Sequence, residues 1–406
     1  MAVAENYDII ILHLTRIDDG FQSSGVTYSK ELSKQHRVFL IDRPLTIKDI
    51  WQHRKDAAWQ SSIAKSKKKY GHAELVNIDG FEFYSVTPPY TLSVNFIKNV
   101  TLYNALSAIN HYVFNRFLQK LITDFNIKHY VVINSFNPFL LVPFPKLSPA
   151  PLVKIYRCID EMSEVDYIAR HGVRLEREAV KSYDFTIATS TPIWRRLKGI
   201  QPNTYLVPNG ADTDMFETAL QDLPMPSDLP KNGKKNVVFV GNMNKHRMDY
   251  GLVVKAAQAC PELNFIAIGP YKQQDYVEFG FDTLPNVFFI GPRKMGTLPA
   301  YLKYAHCTLI PYLKNGLTAG IYPLKMNEYL AAGQPVVCTN FSEELNHFSE
   351  VIYIADSEQE FIAAIKKAVN EHTSELIALR QNVAAKNKWS YRMAQIRALI
   401  QEYAKP

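Results

Sequence analysis

Short apolar runs recur along this chain, and most lead through a turn into apolar residues at helical spacing. They lie at residues 7–14, 37–42, 81–86, 129–134, 152–156, 183–189, 204–208, 236–240, 263–268, 287–290, 307–312 and 335–338. A run of four to eight apolar residues bounded by turn signals is the pattern of a strand buried on both faces, and strands that alternate with helices belong to a mostly parallel sheet. Residues 7–42 open such a sheet: YDIIILHL, the loop DDGFQSSG, a helix with Val26, Ser29 and Leu32 in register, then RVFLID. The fold class is therefore α/β, doubly wound, with ligands expected beyond the C-terminal ends of the strands. The polar loop with Asp18, Asp19, Gly20 and Gly25 is expected to line that crevice, although it lacks the full glycine fingerprint of a dinucleotide site.

That many strands in 406 residues exceed one core, so two domains are expected. Residues 217–235 (ETALQDLPMPSDLPKNGKK) hold three Pro and one Gly with little periodicity. The chain is accordingly read as a first domain at 1–215, a linker at 216–235, a second domain at 236–388 and a closing helical segment at 389–406. Cys158, Cys260, Cys307 and Cys338 are far apart and show no metal-ligand spacing, so they are expected as reduced core residues.

Charge is unevenly distributed. Residues 1–210 carry 26 Lys and Arg against 19 Asp and Glu, whereas residues 211–406 carry 20 against 20, so the whole +7 lies in the first half. A basic half calls for an anionic partner: nucleic acid, an anionic membrane surface or a phosphorylated acceptor. Within it, residues 51–72 lose periodicity and mix Trp51 and Trp59 with Arg54, Lys55, Lys65, Lys67, Lys68 and Lys69 against one acid, Asp56. A solvated, partly disordered loop is the plain expectation; Trp among cations also suits a lipid headgroup layer. Residues 91–125 are too broadly apolar for one core-facing stripe, which fits two buried helices or one helix with a second apolar face, rimmed by Lys98, Arg116 and Lys120. No run reaches the ~18 apolar residues of a membrane span, and residues 7–14 read as a strand rather than a signal peptide. The expectation is a cytoplasmic protein, peripheral on the inner face of the membrane, with no nucleic-acid partner.

Residues 320–339 (GIYPLKMNEYLAAGQPVVCT) concentrate the chemistry. Pro323 suits a first helical position and Gly333 the left-handed residue past the end. Met326, Tyr329 and Leu330 form an apolar stripe, while Lys325 and Glu328 share the adjacent face. A helix N-terminus with an added Lys favours phosphate, and a carboxylate one turn in can accept from a ribose diol; the plain alternative is a solvated i, i+3 pair. In the turn GNMNKHRMDYG, Gly241 is expected to let backbone amides approach an anion, with Lys245 and Arg247 as cations. Tyr312 ends another strand and is a candidate to face a ligand. Asp160, with Glu161 beside it, follows the strand ending at Cys158, where it suits a general base or a plain helix N-cap. Asp212-Thr213-Asp214 matches a metal motif formally, but it lies in an interdomain turn.

The run P-x-K-x-x-E-x-x-A-x-G-x-P at 323–335 resembles the nucleotide-sugar signature of GT-B glycosyltransferases. The order strand, Asp160-Glu161, long helix, strand-ATS, short helix and VPNGADTDMF is similar to the passage between their domains. The best-known signature has a second Glu where this sequence has Gly320, and the pattern looks closer to membrane-associated glucuronosyltransferases of bacterial exopolysaccharide and teichuronic-acid synthesis. The resemblance implies two Rossmann-like domains facing across a cleft, with a C-terminal crossover through Trp389 and Arg392 that braces the first domain. It implies transfer of glucuronic acid from a UDP-sugar to a lipid-linked or polysaccharide acceptor, inverting, with no metal or other cofactor. Asp160 or Glu161 would be the base. Lys325 would serve the diphosphate and Glu328 the nucleoside, with Gly241, Lys245, Arg247, Arg293, Tyr312, Tyr322 and Met326 also on the donor side. A UDP-sugar epimerase of the same fold, and a non-catalytic membrane-surface subunit of a polysaccharide assembly complex, are the competing readings.

Overall fold

The computed structural model describes residues 7–17, 24–164 and 166–404; Asp18, Asp19 and Gly20 lie outside the described residues. The chain divides into two compact units, residues 1–207 with 393–406, and residues 208–392.

Unit 1 is built on an eight-stranded sheet. Its strands are β1 (Asp8–His13), β2 (Val38–Ile41), β3 (His72–Ile78), β4 (Phe81–Thr87), β5 (Tyr130–Ser135), β6 (Val153–Cys158), β7 (Phe185–Ala188) and β8 (Thr204–Leu206), in the order β3-β4-β2-β1-β5-β6-β7-β8. All neighbours are parallel except the β3/β4 hairpin. β1, β2, β5 and β7 are buried along almost their whole length, as continuous apolar runs in a parallel sheet should be. The closing helix Trp389–Tyr403 ends in this unit, where Tyr403 packs on Phe185 and its hydroxyl meets that of Tyr205 at 2.9 Å.

Residues 51–72 are not an irregular loop. The helix Ile47–Gln52, a 3-10 turn at Ala57–Trp59 and the helix Gln60–Ser66 cover most of them, and Ile63 and Ser66 are buried. Asp49 and Thr46 close a capping box on the first helix, Asp56 caps the turn, and Trp59 stacks on His53 with centroids 3.9 Å apart. Local capping thus supplies the order that hydrophobic periodicity does not announce. Residues 91–125 give one long helix, Val100–Asp124, with two apolar faces. Tyr103, Phe114, Phe117, Leu118 and Leu121 are buried, while Leu102, Ile109 and Tyr112 stand exposed on a second stripe.

Unit 2 holds six parallel strands: β9 (Lys235–Val240), β10 (Leu263–Ile268), β11 (Val287–Gly291), β12 (Cys307–Ile310), β13 (Val336–Thr339) and β14 (Tyr353–Ala355), in the order β11-β10-β9-β12-β13-β14. One face carries the helices Thr213–Glu217, Leu298–Lys303, Leu324–Ala331 and Ser374–Ala385; the other carries Tyr250–Ala259 and Glu358–Ala368. Residues 216–235 are no free linker, because Phe216, Ala219 and Leu229 are buried in the first of these cores. Three apolar anchors hold a Pro-rich segment that lacks regular periodicity. Asp212 and Asp214 of the formal metal motif have structural partners: Asp212 caps the helix Thr213–Glu217, and Asp214 pairs with Lys388. All four cysteines are free and buried.

Candidate functional site

The helix Leu324–Ala331 is fixed at three points. Pro323 is its N-cap rather than its first helical residue, with ψ 85°, outside the helical range. At the other end Gly333 takes φ +75°, its N–H donates to Leu330 O at 3.0 Å, and Gln334 N–H donates to Tyr329 O at 3.0 Å. That pair of bonds is a Schellman closure, which favours glycine at the left-handed residue. Between them Met326, Tyr329 and Leu330 are fully buried, as the stripe requires. The Tyr329 hydroxyl accepts from Val240 N at 2.8 Å and donates to Val240 O at 3.2 Å. β12 pairs with β9 only at Val237 and Val238, so the tyrosine satisfies backbone groups of β9 that the ladder does not reach.

So anchored, the helix presents Lys325 and Glu328, whose Nζ and Oε2 lie 2.7 Å apart. Both are largely covered. A Lys ammonium has three donors, so this contact leaves capacity for a second anion. The turn after β9 packs beside the segment after β12: Met248 bridges Tyr312, Leu313 N donates to Arg247 O at 2.7 Å, and Asp249 N donates to Pro311 O at 2.8 Å. Burial pushes the Tyr312 phenol above its ordinary value; Arg247 opposes the shift and Glu328 adds to it. Arg247, Tyr312, Glu328 and Lys325 therefore form one electrostatic neighbourhood at the C-terminal ends of β9 and β12, where a parallel sheet collects ligands.

Other expected donor-side residues stand apart from it. The Gly241 N–H is already used, donating to Ile268 O at 2.9 Å. Glycine is needed more at Gly269, where φ is +145° and a Cβ would come within 1.9 Å of Gly241 O. Lys245 turns to the helix Gln273–Glu278, meeting Asp275 at 3.2 Å and Glu278 at 3.1 Å. Arg293 binds Asp228 of the Pro-rich segment and the Tyr301 hydroxyl. Tyr322 and Met326 are core residues, and the Tyr322 hydroxyl accepts from Asn327 at 3.1 Å.

In unit 1, Asp160 lies half-buried in the turn beyond β6, at a C-terminal strand end. Its neighbour Glu161 is committed: Arg196 Nε donates to it at 3.1 Å, while Arg196 Nη1 donates to the buried Glu176 at 2.7 Å. Burial and the Glu176 carboxylate push the Cys158 thiol well up, so it remains a neutral donor to Glu176 at 3.1 Å.

A second group at these strand ends escaped the sequence reading. His13, last residue of β1, and Asp42, just after β2, are both buried, with His13 Nε2 and Asp42 Oδ1 3.2 Å apart. A carboxylate can only accept, so Nε2 carries a proton toward Asp42, and in the neutral ring Nδ1 accepts from the Thr15 hydroxyl at 2.8 Å. Asp42 Oδ1 also accepts from Ile17 N at 3.0 Å, which holds the carboxylate in place. The available signal was positional: a His and an Asp each close an apolar strand run. Among the described residues no cluster of three or more His, Cys, Asp or Glu is arranged to hold a metal ion.

Residues 234–371 match the family model for glycosyl transferases group 1. Unit 2 carries a group 1 glycosyltransferase domain. The chain is also 29% identical over 209 residues to the putative teichuronic acid biosynthesis glycosyltransferase TuaH of Bacillus subtilis (strain 168), an alignment covering 50% of this chain and 52% of that protein. The chain thus spans about half the length of the curated relative it matches. Among solved structures it superposes on an E. coli trehalose-6-phosphate protein bound with UDP-2-fluoro glucose, at TM-score 0.66 and 12% identity, covering 97% of this chain and 99% of that one. It also superposes on the sucrose-phosphate synthase of Thermosynechococcus elongatus, at TM-score 0.67 and 14% identity, covering 97% and 98%. At such identities the likeness speaks for fold, and the fold of this chain is GT-B.

Proposed function

We propose that the protein transfers a glycosyl group, glucuronic acid, from a UDP-sugar to a lipid-linked or polysaccharide acceptor with inversion. The observation that carries this reading is the Lys325, Glu328, Arg247 and Tyr312 neighbourhood at the strand ends of a group 1 glycosyltransferase domain. Lys325, with Arg247 and the positive end of its helix dipole, takes the charge of the diphosphate leaving group, so the reading needs no metal. Glu328 accepts from the ribose, and Tyr312 lies against the same ligand. The similarity to TuaH favours an anionic envelope polysaccharide as the product.

Asp160 is the base in this reading, a half-buried carboxylate at a strand end of the other unit. The His13–Asp42 pair supports a second assignment. An imidazole oriented by a carboxylate, with its basic nitrogen on the Thr15 hydroxyl, is equipped to take a proton. The N-terminal unit also docks on an anionic membrane surface, which gives its exposed aromatic and basic residues a role that an epimerase would not require. No helix among the described residues is long and apolar enough to cross a membrane.

Titration calorimetry with UDP, followed by UDP release from UDP-glucuronate with and without an acceptor extract, tests the reading. UDP binding with release that depends on acceptor is expected. Absence of UDP binding by folded protein overturns it, and acceptor-independent conversion of the sugar moves it to an epimerase.

A further inference from the structure

Unit 1 contains a cavity of about 570 Å³ that none of the roles above uses. It opens beside Thr15, so its floor is the C-terminal end of β1 and the His13–Asp42 pair lies immediately beneath. One wall is the helix Ile47–Gln52, which brings Lys48 and Asp49; another is the first half of the helix Val100–Asp124. The loop between them is pinned by Asn110, whose side chain accepts from Leu92 N at 2.8 Å and donates to Leu92 O at 3.1 Å. Two side-chain bonds therefore fix this loop to the long helix, and the wall it forms is not a loose segment.

Its lining is divided by chemistry. Toward the strand ends stand Arg43 and Lys48. Arg43 shares Asp49 at 3.1 Å, and Lys48 is in no ion pair among the described residues. Away from them the walls are Leu92, Val94, Phe96, Tyr103, Phe139 and Leu140. Positive charge at one end and aliphatic and aromatic walls at the other match a ligand with an anionic head and an apolar tail. The rim continues the apolar wall to the surface: Trp51 is 65% exposed and Phe96 63%. The sequence contains no Asp or Glu from Phe83 to Thr123, so Asp49, held by Arg43 and the Thr46 hydroxyl, is the only carboxylate among the described lining residues.

We infer that this cavity binds an amphiphile with a phosphate head and a hydrocarbon tail, the head on Arg43 and Lys48 and the tail against Phe96, Tyr103 and Phe139. Thr15 then faces the group attached to the head. That this amphiphile is the glycosyl acceptor rests on the transfer reading; the binding does not, and the two are measured apart.

Decyl phosphate below its micelle-forming concentration is the probe, titrated into the full chain without nucleotide and compared with decanol and inorganic phosphate. Decyl phosphate is expected to bind at least tenfold tighter than either fragment. Lys48→Glu should weaken it about tenfold or more, the scale of one lost charge-assisted contact. Phe96→Asp, at an exposed position where folding is not at stake, should do the same, while Lys120→Glu on the far end of the long helix should not. Vesicles of phosphatidylcholine doped with a lipid phosphomonoester separate a membrane-borne head from a free one. Equal affinity for decyl phosphate and inorganic phosphate, or no change in both Lys48→Glu and Phe96→Asp, overturns the inference. UDP titrated into the same samples reports on the donor side, so loss of UDP binding with decyl phosphate retained sinks the transfer reading alone.

Discussion

The two units differ in charge balance and in how the cations near their candidate sites are held. Unit 2 has 18 Lys and Arg against 19 Asp and Glu, and several of its cations close onto acids: Lys245 on Asp275 and Glu278, Lys314 on Asp356, Lys325 on Glu328 and Arg293 on Asp228. Unit 1 has 28 against 20; it closes pairs of its own, such as Lys30 on Asp79 and Arg196 on Glu161 and Glu176, but Lys48, Lys55 and Lys98 meet no carboxylate among the described residues. A closed pair fixes side-chain geometry in advance and yields only to a ligand that offers comparable hydrogen bonds. An open cation among apolar groups attracts anions with little discrimination. The first arrangement suits one defined small molecule, and the second a surface or a chain.

The sharpest way to break that contrast is to remove chemistry from unit 1 while leaving the donor side intact. Asp160→Asn is expected to lower transfer by about 10²–10⁴-fold, the contribution of a positioned base, with UDP affinity unchanged. If turnover survives in Asp160→Asn and falls by a similar factor in His13→Gln, the proton goes to the imidazole and Asp160 is a structural turn residue. Circular dichroism on both variants guards against a folding defect, since His13 is buried.

Lys325→Ala tests the other side. It should weaken UDP binding by about 1.5–3 kcal/mol, the range of a hydrogen bond to a charged group. Because Lys325 and Glu328 hold each other at 2.7 Å, Glu328→Ala should also cost affinity, and more for UDP than for deoxyuridine diphosphate. Equal affinity of wild-type protein for those two ligands would remove the ribose from Glu328. Unaltered UDP affinity in Lys325→Ala would leave the pair a surface feature of the helix.

How far each unit could be read ahead follows the same division. The donor-side helix was legible because its determinants are local: Pro323, the Met326/Tyr329/Leu330 stripe and Gly333 fall within eleven consecutive positions, and each has one physical reason to be there. Pairing partners were not legible. Lys245 and Arg293 are claimed by Asp275, Glu278 and Asp228, which come from other segments, and spacing along the chain carries no record of that. His13 and Asp42 are 29 residues apart and meet only because β1 and β2 are adjacent and parallel. The β3/β4 hairpin did have a local signal, Asp79-Gly80 with φ +54° and +84°, a two-residue turn of the kind that favours tight hairpins. Tyr329→Phe probes the legible part: it leaves Val240 N and O without their buried partner and should destabilise unit 2 by about 1–3 kcal/mol in urea denaturation. No change in the midpoint would mean that the backbone there finds other partners.

The smallest effects are expected at the side of unit 1 proposed to meet a membrane, and they sharpen the contrast most finely. Lys65, Lys67, Lys68 and Lys69 looked like the obvious contact, yet Lys65 pairs with Glu74, Lys68 reaches His72 and Lys69 lies over the Tyr70 ring. The long helix offers a better candidate: Leu102, Ile109 and Tyr112 recur on one exposed face, and the Arg116 guanidinium sits on the Tyr112 hydroxyl at 2.8 Å at the end of that stripe. Rings and aliphatic groups backed by cations are what an interfacial element needs, at about 1 kcal/mol for each Lys or Arg near an anionic surface. Co-sedimentation with phosphatidylcholine vesicles, with and without phosphatidylglycerol, should show binding that needs the anionic lipid and falls with salt. Neutralising Lys65 should change it little, because Glu74 already screens that charge. Replacing Ile109 and Tyr112 with Ser should weaken it more than neutralising all four lysines. The reverse ranking would return the contact to residues 65–69, and equal recovery from neutral and anionic vesicles would leave both segments as solvated surface.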